Sequence, residues 1–414
     1  MFSKRLFKIL GFRNYIMQIG YTSPFRWDFA THRLISAPWY VFWNFKMYTF
    51  YVCMFGILLG TRLAQKTILN KNVIFGEDET EVKKHRLEPV IIALDIGVIA
   101  LLICITSLFA LIALFKDEII KFFNEMLDFD AFLDEIFRNN LKGRNKLDNN
   151  TAAEIDLLML LVAVSTLFIP VMFGLYFLQD TEPLNRFFLE VLEVEIKPEL
   201  KFLPLVLFVM WSVLQCCNVA GLFLSIGIMY IKFVPFWLTA LNPSKILRCG
   251  CGSRFQMKYV TNLGLLGEQS MIKLHRTHQV LNRIFNHFMA NPLLSNHQAG
   301  LQVLVIVTCF LTIEYFEEML YTPGYQLVFV TIFLCFFIVY VEAKIVSDAN
   351  ITADEFRRKI RSLTRRKNEV FKSMGGTWSL RIHIAYPYYT VSRTTFLEFV
   401  QRTVEFLVDL LMAN

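Results

Sequence analysis

VIIALDIGVIALLICITSLFALIALF, residues 90–115, carries one formal charge, Asp95, in an otherwise apolar or weakly polar run. As an α-helix it would extend about 39 Å at about 1.5 Å per residue, which exceeds a bilayer hydrocarbon core of about 30 Å. Six further segments of the chain read in the same way. They begin at Trp39 (to Thr61), at 157–178, at Phe202 (to Tyr230), at 299–316 and at 325–341, and the last runs from about Phe396 to 413. Hydrophobic residues make up 55% of the 414 and mean hydropathy is +0.46, above the level of an ordinary water-soluble domain. A soluble core can bury one or two such runs, but not seven. The expected class is therefore an all-α membrane protein with seven transmembrane helices.

Orientation follows from the basic residues. Lys and Arg number six before the first span and six, eight and eleven in the connections after spans two, four and six; the connections after spans one, three and five hold six, three and none. The positive-inside rule puts the N-terminus and the even connections in the cytoplasm and the C-terminus outside. This is the reverse of a G-protein-coupled receptor. The formal charge of +7 is thus accounted for by membrane orientation, and no nucleic-acid partner is called for. MFSKRLFKILGFRNYIM (1–17) lacks the continuous apolar core and small-residue cleavage site of a secretory signal. Residues 1–38 read as a cytoplasmic amphipathic segment lying along the inner membrane face, followed by one seven-span domain over 39–414.

Three even connections carry helical periodicity beyond their spans, at about 116–150, 258–298 and 342–376. Pro292 predicts a stop or kink near 291, and Pro170 in FIPVMF can kink the third span. The three extensions either form one bundle beneath the membrane or lie separately on anionic lipid. Six cysteines fall in or beside spans, and the pair in CGC (249–251) lacks a second Cys/His cluster, so neither a disulfide framework nor a metal or cofactor is expected. The sequons at Asn149 and Asn350 lie on the assigned cytoplasmic side and should carry no glycan. LHRTHQ (274–279) is not the HExxH pattern of a zinc protease, and neither GxSxG nor a phosphate-binding loop occurs, so no enzyme is indicated.

The final stretch, FVQRTVEFLVDLLMAN (399–414), poses the functional question. On a helix Glu398, Arg402, Glu405 and Asp409 are spaced four, three and four apart and share a face, and Met412 extends it. Charges turned to lipid cost several kcal/mol each by order of magnitude. In one reading the stripe lines a pore made by several copies, with acidic rings that attract cations. In the other, Arg402 neutralises Glu398 or Glu405 inside a single subunit, and Asp409 sits among outer headgroups.

Seven spans, an internal N-terminus, a short last helix and almost no tail resemble the insect gustatory and odorant receptors. PYYTVSRTTFLEFV (387–400) is similar to the entry of their last helix. Those receptors end in a Thr-Tyr pair, five apolar residues and Gln; here Glu405-Phe406 takes the place of the pair, Leu407–Leu411 the apolar five, and Met412 the Gln. The resemblance implies a plasma-membrane, ligand-gated, non-selective cation channel of four subunits, homomeric or formed with related chains. It would pass monovalent or divalent cations, with the last helix of each subunit at the pore. It also implies a small organic ligand held in the outer half of the bundle, where this chain has Asp95, Phe173, Tyr176, Trp211, Gln215 and Phe329. Asp409 falls at the expected apolar gate. That departure leaves three readings: a gate moved to Phe406 or Met412, a lost channel activity, or a related subunit that supplies the apolar residue. A non-conducting scaffold or signalling protein is the alternative, and a secondary transporter, which would more often show two related halves, comes after it.

Overall fold

The computed structural model describes residues 2, 4–20, 23–69, 79–138, 145–177, 206–240, 268–314, 316, 326–364, 381–384, 389–392 and 394–413. An N-terminal helix α1 (Lys4–Ile19) precedes a hairpin of β1 (Phe25–Asp28) and β2 (Arg33–Ser36). Long helices follow: α2 (Trp39–Leu69), α3 (Glu79–Arg138), α4 (Asn145–Phe177) and α5 (Val206–Ala240). Next come α6 (Glu268–Phe285), α7 (Ser295–Glu314), α8 (Gln326–Thr364), a second short antiparallel pair, β3 (His383–Ile384) and β4 (Tyr389–Thr390), and α9 (Thr395–Ala413). Each of the seven apolar segments overlaps a helix. Five stretches among the described residues are long and apolar enough to cross a membrane: Trp39–Thr61, Ile96–Leu133, Ala152–Val171, Val206–Thr239 and Lys273–Glu314.

The helices run on beyond their apolar runs, as the periodicity predicts. In α3 the helical backbone is interrupted at Phe115 (φ −108°, ψ 20°), where the apolar run gives way to Lys116. The helix then resumes to Arg138. Pro170 lies inside α4 without ending it. Pro292 does not stop the chain either: it lies in a π-helical stretch, Asn286–Leu294, that joins α6 to α7. The wider turn of such a stretch relaxes the backbone hydrogen-bond ladder that a proline would break.

The packed centre lies where these extensions meet. Phe122 of α3 contacts Tyr230 of α5 (ring centroids 5.1 Å) and Phe288 of the π-helical stretch (5.2 Å), while Tyr230 lies 4.4 Å from Phe285 of α6. Ala343, Val346, Ala349, Ala353 and Phe356 of α8 belong to the same core. The alternative of three separate helices on lipid is thereby set aside, because extensions of α3, α6 and α8 bury one shared apolar interior. His275 and His278 are part of it, His278 lying edge-on to Phe129 at 5.0 Å. Among the described residues no His, Cys, Asp and Glu side chains gather as a metal site, and cysteines 53, 104, 216, 217, 309 and 335 are unpaired.

α1 departs from a surface-lying helix. It buries Leu6, Leu10 and Met17 within the core and packs against α4 and α5. The following hairpin folds back on α3, where Arg33 pairs with Asp128 and the Leu34 carbonyl accepts from Asn124 Nδ2 at 2.9 Å.

Candidate functional site

The last helix begins with a reciprocal cap. The Ser392 Oγ accepts from the Thr394 N–H (3.2 Å), and the Ser392 N–H donates to Thr395 Oγ1 (2.9 Å). Two donors that a helix start leaves unsatisfied are so paired, and the N-terminus of α9 is fixed at this position.

Four-residue spacing then divides α9 into faces. Thr395, Phe399 and Thr403 are buried, and Leu407 and Leu411 continue the same spine half-buried. Phe399 packs with Val305 of α7 and with Cys335 and Val339 of α8, and Phe336 meets Phe396 and Phe399 edge-on at 6.5 and 6.1 Å. Thr403 spends its hydroxyl proton on the Phe399 carbonyl (2.8 Å), which lets a polar residue sit inside this apolar seam.

The charged set lies away from the spine. Glu398 is half-buried and accepts from Thr394 Oγ1 at 3.1 Å; Arg402, Glu405 and Asp409 are exposed, and Met412 is 82% exposed. Glu405 is met by Gln401 Nε2 (2.8 Å), not by Arg402. Among the described residues Arg402 and Asp409 make no ion pair, so the single-subunit neutralisation that the spacing allowed does not occur there. Val404, Phe406, Val408 and Leu410 are exposed as well. One subunit thus covers only a narrow side of α9, and leaves both its charges and several large apolar side chains for something else to contact.

The approach to α9 is stitched to the core of extensions. Asn350 of α8 is buried; its Oδ1 accepts from the Ile382 N–H (2.7 Å), and its Nδ2 donates to the carbonyls of Val391 (3.0 Å) and Ile382 (3.3 Å). Asn282 and Asn286 donate to the Arg381 carbonyl at 3.1 and 3.0 Å. The Arg381 guanidinium makes a forked pair with Asp354, through Nε to Oδ1 (3.1 Å) and Nη2 to Oδ2 (2.6 Å). Hydrogen bonding to that carboxylate raises the Arg381 pKa, so the guanidinium stays protonated. Arg381, Ile382 and Val391 therefore tie α6, the π-helical stretch and α8 to the start of the last helix. Of the side chains in this network, only Asn350 carries a signal in the sequence, and that signal is a sequon.

The proposed ligand residues are less fully described. Asp95 lies on α3, Phe173 and Tyr176 on α4 and Phe329 on α8, but their side chains fall outside the described residues. Trp211 on α5 is 41% exposed. Gln215, one turn further on, is buried against the end of α1, where a Cβ on Gly20 would come within 2.6 Å of its amide carbon. That contact makes Gln215 part of the α1–α5 packing.

Fold and site together define a polytopic helical protein whose last helix is anchored on one side and charged on another. The whole chain has a counterpart of known structure: the insect olfactory receptor OR5 from Machilis hrabei, solved in complex with eugenol. The two share 13% sequence identity at a TM-score of 0.51, over 98% of each chain. At that identity the likeness shows the fold. No family model and no curated protein sequence matches this chain.

Proposed function

We infer that this chain is a chemosensory receptor subunit of the insect gustatory and odorant receptor superfamily, not an enzyme. It spans the plasma membrane seven times with its N-terminus in the cytoplasm. Four copies, identical or mixed with related subunits, surround a non-selective cation pathway lined by α9 and opened by a small organic molecule. One observation carries the reading: in a chain with an olfactory-receptor fold, α9 has a buried spine toward α7 and α8 and an exposed charged stripe. A stripe of Arg402, Glu405 and Asp409 is tolerable across a membrane only against water or protein, and a central aqueous pathway supplies the water.

In that arrangement Glu405 and Asp409 form successive acidic rings that concentrate cations. Four aspartates at one level stay hydrated or share protons through mutual repulsion, so the closing constriction falls to Phe406 or Met412. The bonds of Arg381, Ile382 and Val391 hold the start of α9 against the bundle of extensions, which makes that bundle the fixed end of the gating helix. A small organic ligand is in keeping with the eugenol found in the Machilis hrabei receptor. The second reading, a non-conducting scaffold, rests on Asp409 itself, because a hydrated residue at the gate position removes the dry seal.

Subunit counting in lipid nanodiscs, with Met412→Cys to report proximity, tests the inference. A tetramer whose subunits cross-link through that position is the expected result. A monomer, or an oligomer in which the position never cross-links, would overturn it.

A further inference from the structure

A second feature is the cleft of about 240 Å³ where α1 meets α4 and α5. Six residues of α1 line it, at positions 5, 8, 9, 12, 13 and 16, which is one continuous helical face. Three of them are cations, Arg5, Lys8 and Arg13, and among the described residues no carboxylate lines the cleft.

Arg13 is only 2% exposed. Its Nη2 donates to Thr166 Oγ1 (2.9 Å) and its Nη1 to Ser225 Oγ (3.2 Å), while Nε is buried without a partner. Both hydroxyls give their own protons to backbone carbonyls, Thr166 to Val162 (2.7 Å) and Ser225 to Gly221 (2.6 Å), so they face Arg13 as acceptors. Gly221 makes the room, since a Cβ there would stand 2.6 Å from Arg13 Nη1. The fold has therefore built a niche for a guanidinium, inside the apolar stretch Ala152–Val171 that holds Thr166, and among the described residues answers its charge only with neutral oxygens. An unpaired buried charge is costly. A counter-charge from outside the chain would offset that cost.

The rest of the cleft narrows the chemistry of that counter-charge. Arg5 and Lys8 are exposed at the start of α1, while Phe12 (58% exposed) and Leu167 of α4 present apolar surface beside Ile16. Cations grade into apolar wall along one helix face, the pattern of an anionic amphiphile rather than of a free ion. We propose that the cleft between α1, α4 and α5 binds an anionic phospholipid of the inner leaflet, its phosphate held by the exposed Arg5 and Lys8 in the field of the buried Arg13 charge, and an acyl chain along Phe12, Ile16 and Leu167. The site rests on the membrane orientation stated above and is independent of conduction through α9.

The test uses the full-length protein, purified from membranes and exchanged into nanodiscs of phosphatidylcholine alone or with phosphatidylserine. Native mass spectrometry then counts retained lipid. Phosphatidylserine should be retained in preference to phosphatidylcholine, and Arg5→Gln and Lys8→Gln, both at exposed positions, should each weaken retention about fivefold. Arg13→Gln should weaken it further, and the two exposed variants keep the test decisive if that one fails to fold. Equal retention of both lipids, or an unchanged preference in the double variant Arg5→Gln/Lys8→Gln, would overturn the site. Inorganic phosphate displacing the lipid at millimolar concentration would overturn the amphiphile in favour of a simple anion site. Release of the protein from membranes by alkaline carbonate would overturn the membrane reading along with the site, whereas retention without lipid preference overturns the site alone.

Discussion

Asn350 and Ile382 bond to each other in both directions: the Ile382 N–H donates to the Asn350 side-chain oxygen at 2.7 Å, and the Asn350 amide donates back to the Ile382 carbonyl at 3.3 Å. The same amide reaches the Val391 carbonyl at 3.0 Å, so one buried side chain holds both Ile382 and Val391 on the approach to α9. Asn350→Ala would leave these backbone groups unpaired, at about 1–3 kcal/mol for each buried group. Thermal unfolding in detergent should show a lower midpoint, and an unchanged midpoint would mean that the approach is held elsewhere. Asn350→Asp keeps the acceptor but loses both donations, and should destabilise nearly as much. Because the amide nitrogen is committed, the sequon at 350–352 should be unglycosylated, and glycosidase treatment should produce no mobility shift that Thr352→Ala removes.

Conduction through α9 predicts distinct effects of substituting its two exposed acids. Glu405→Gln weakens an acidic ring and should lower cation preference and unitary current severalfold through loss of local cation enrichment. Asp409→Leu restores an apolar constriction and should reduce basal current while leaving surface delivery intact. Whole-cell recording paired with surface labelling reads both. Normal delivery with unaltered current in the two variants would favour the non-conducting scaffold.

The helices and the division of α9 were legible because they rest on short-range regularities: apolar run length and four-residue spacing. The Phe115 break falls at the edge of an apolar run, so it too has a local signal. Arg13 did not stand out, although it shares a helix face with Leu6, Leu10 and Met17, at spacings of seven, three and four, and a cation on a buried face is a usable sign. Its neutral partners Thr166 and Ser225 lie 153 and 212 residues away, and no periodicity reports contacts of that range. The Asn350 contacts were hidden for a related reason, since the partners are backbone groups that any sequence would carry. Pro292 marked a real irregularity, since the α-helical ladder gives way there to a π-helical stretch and does not stop.

Phe399 and Phe406 offer a matched pair on one helix. Phe399 is buried against Phe336, whereas Phe406 is 56% exposed within the subunit. Phe399→Ala should cost about 3 kcal/mol, the low end for a buried phenylalanine, and should lower both thermal midpoint and surface delivery. Phe406→Ala should change subunit stability by no more than about 0.5 kcal/mol. In a tetramer that uses Phe406 as its constriction, the same substitution should raise basal current. Equal destabilisation by the two would contradict the division of α9 into an anchored face and a free one.

Gly300 on α7 allows the close approach of α3, because a Cβ at that position would collide with the Cys104 Sγ. The thiol also donates to the Asn296 carbonyl at 3.3 Å, so turning it aside gives up that contact. Gly300→Ala should therefore destabilise modestly, and Gly300→Val more strongly, about 1–3 kcal/mol, as expected for overpacking. Helix propensity alone predicts the reverse for alanine, which gains about 1 kcal/mol over glycine inside a helix. The sign of the Gly300→Ala effect consequently separates contact from propensity. Cys104→Ala should rescue either variant in a double-mutant cycle, with a coupling of at least about 0.5 kcal/mol for residues in contact. Additive effects in that cycle would place the α3–α7 contact elsewhere.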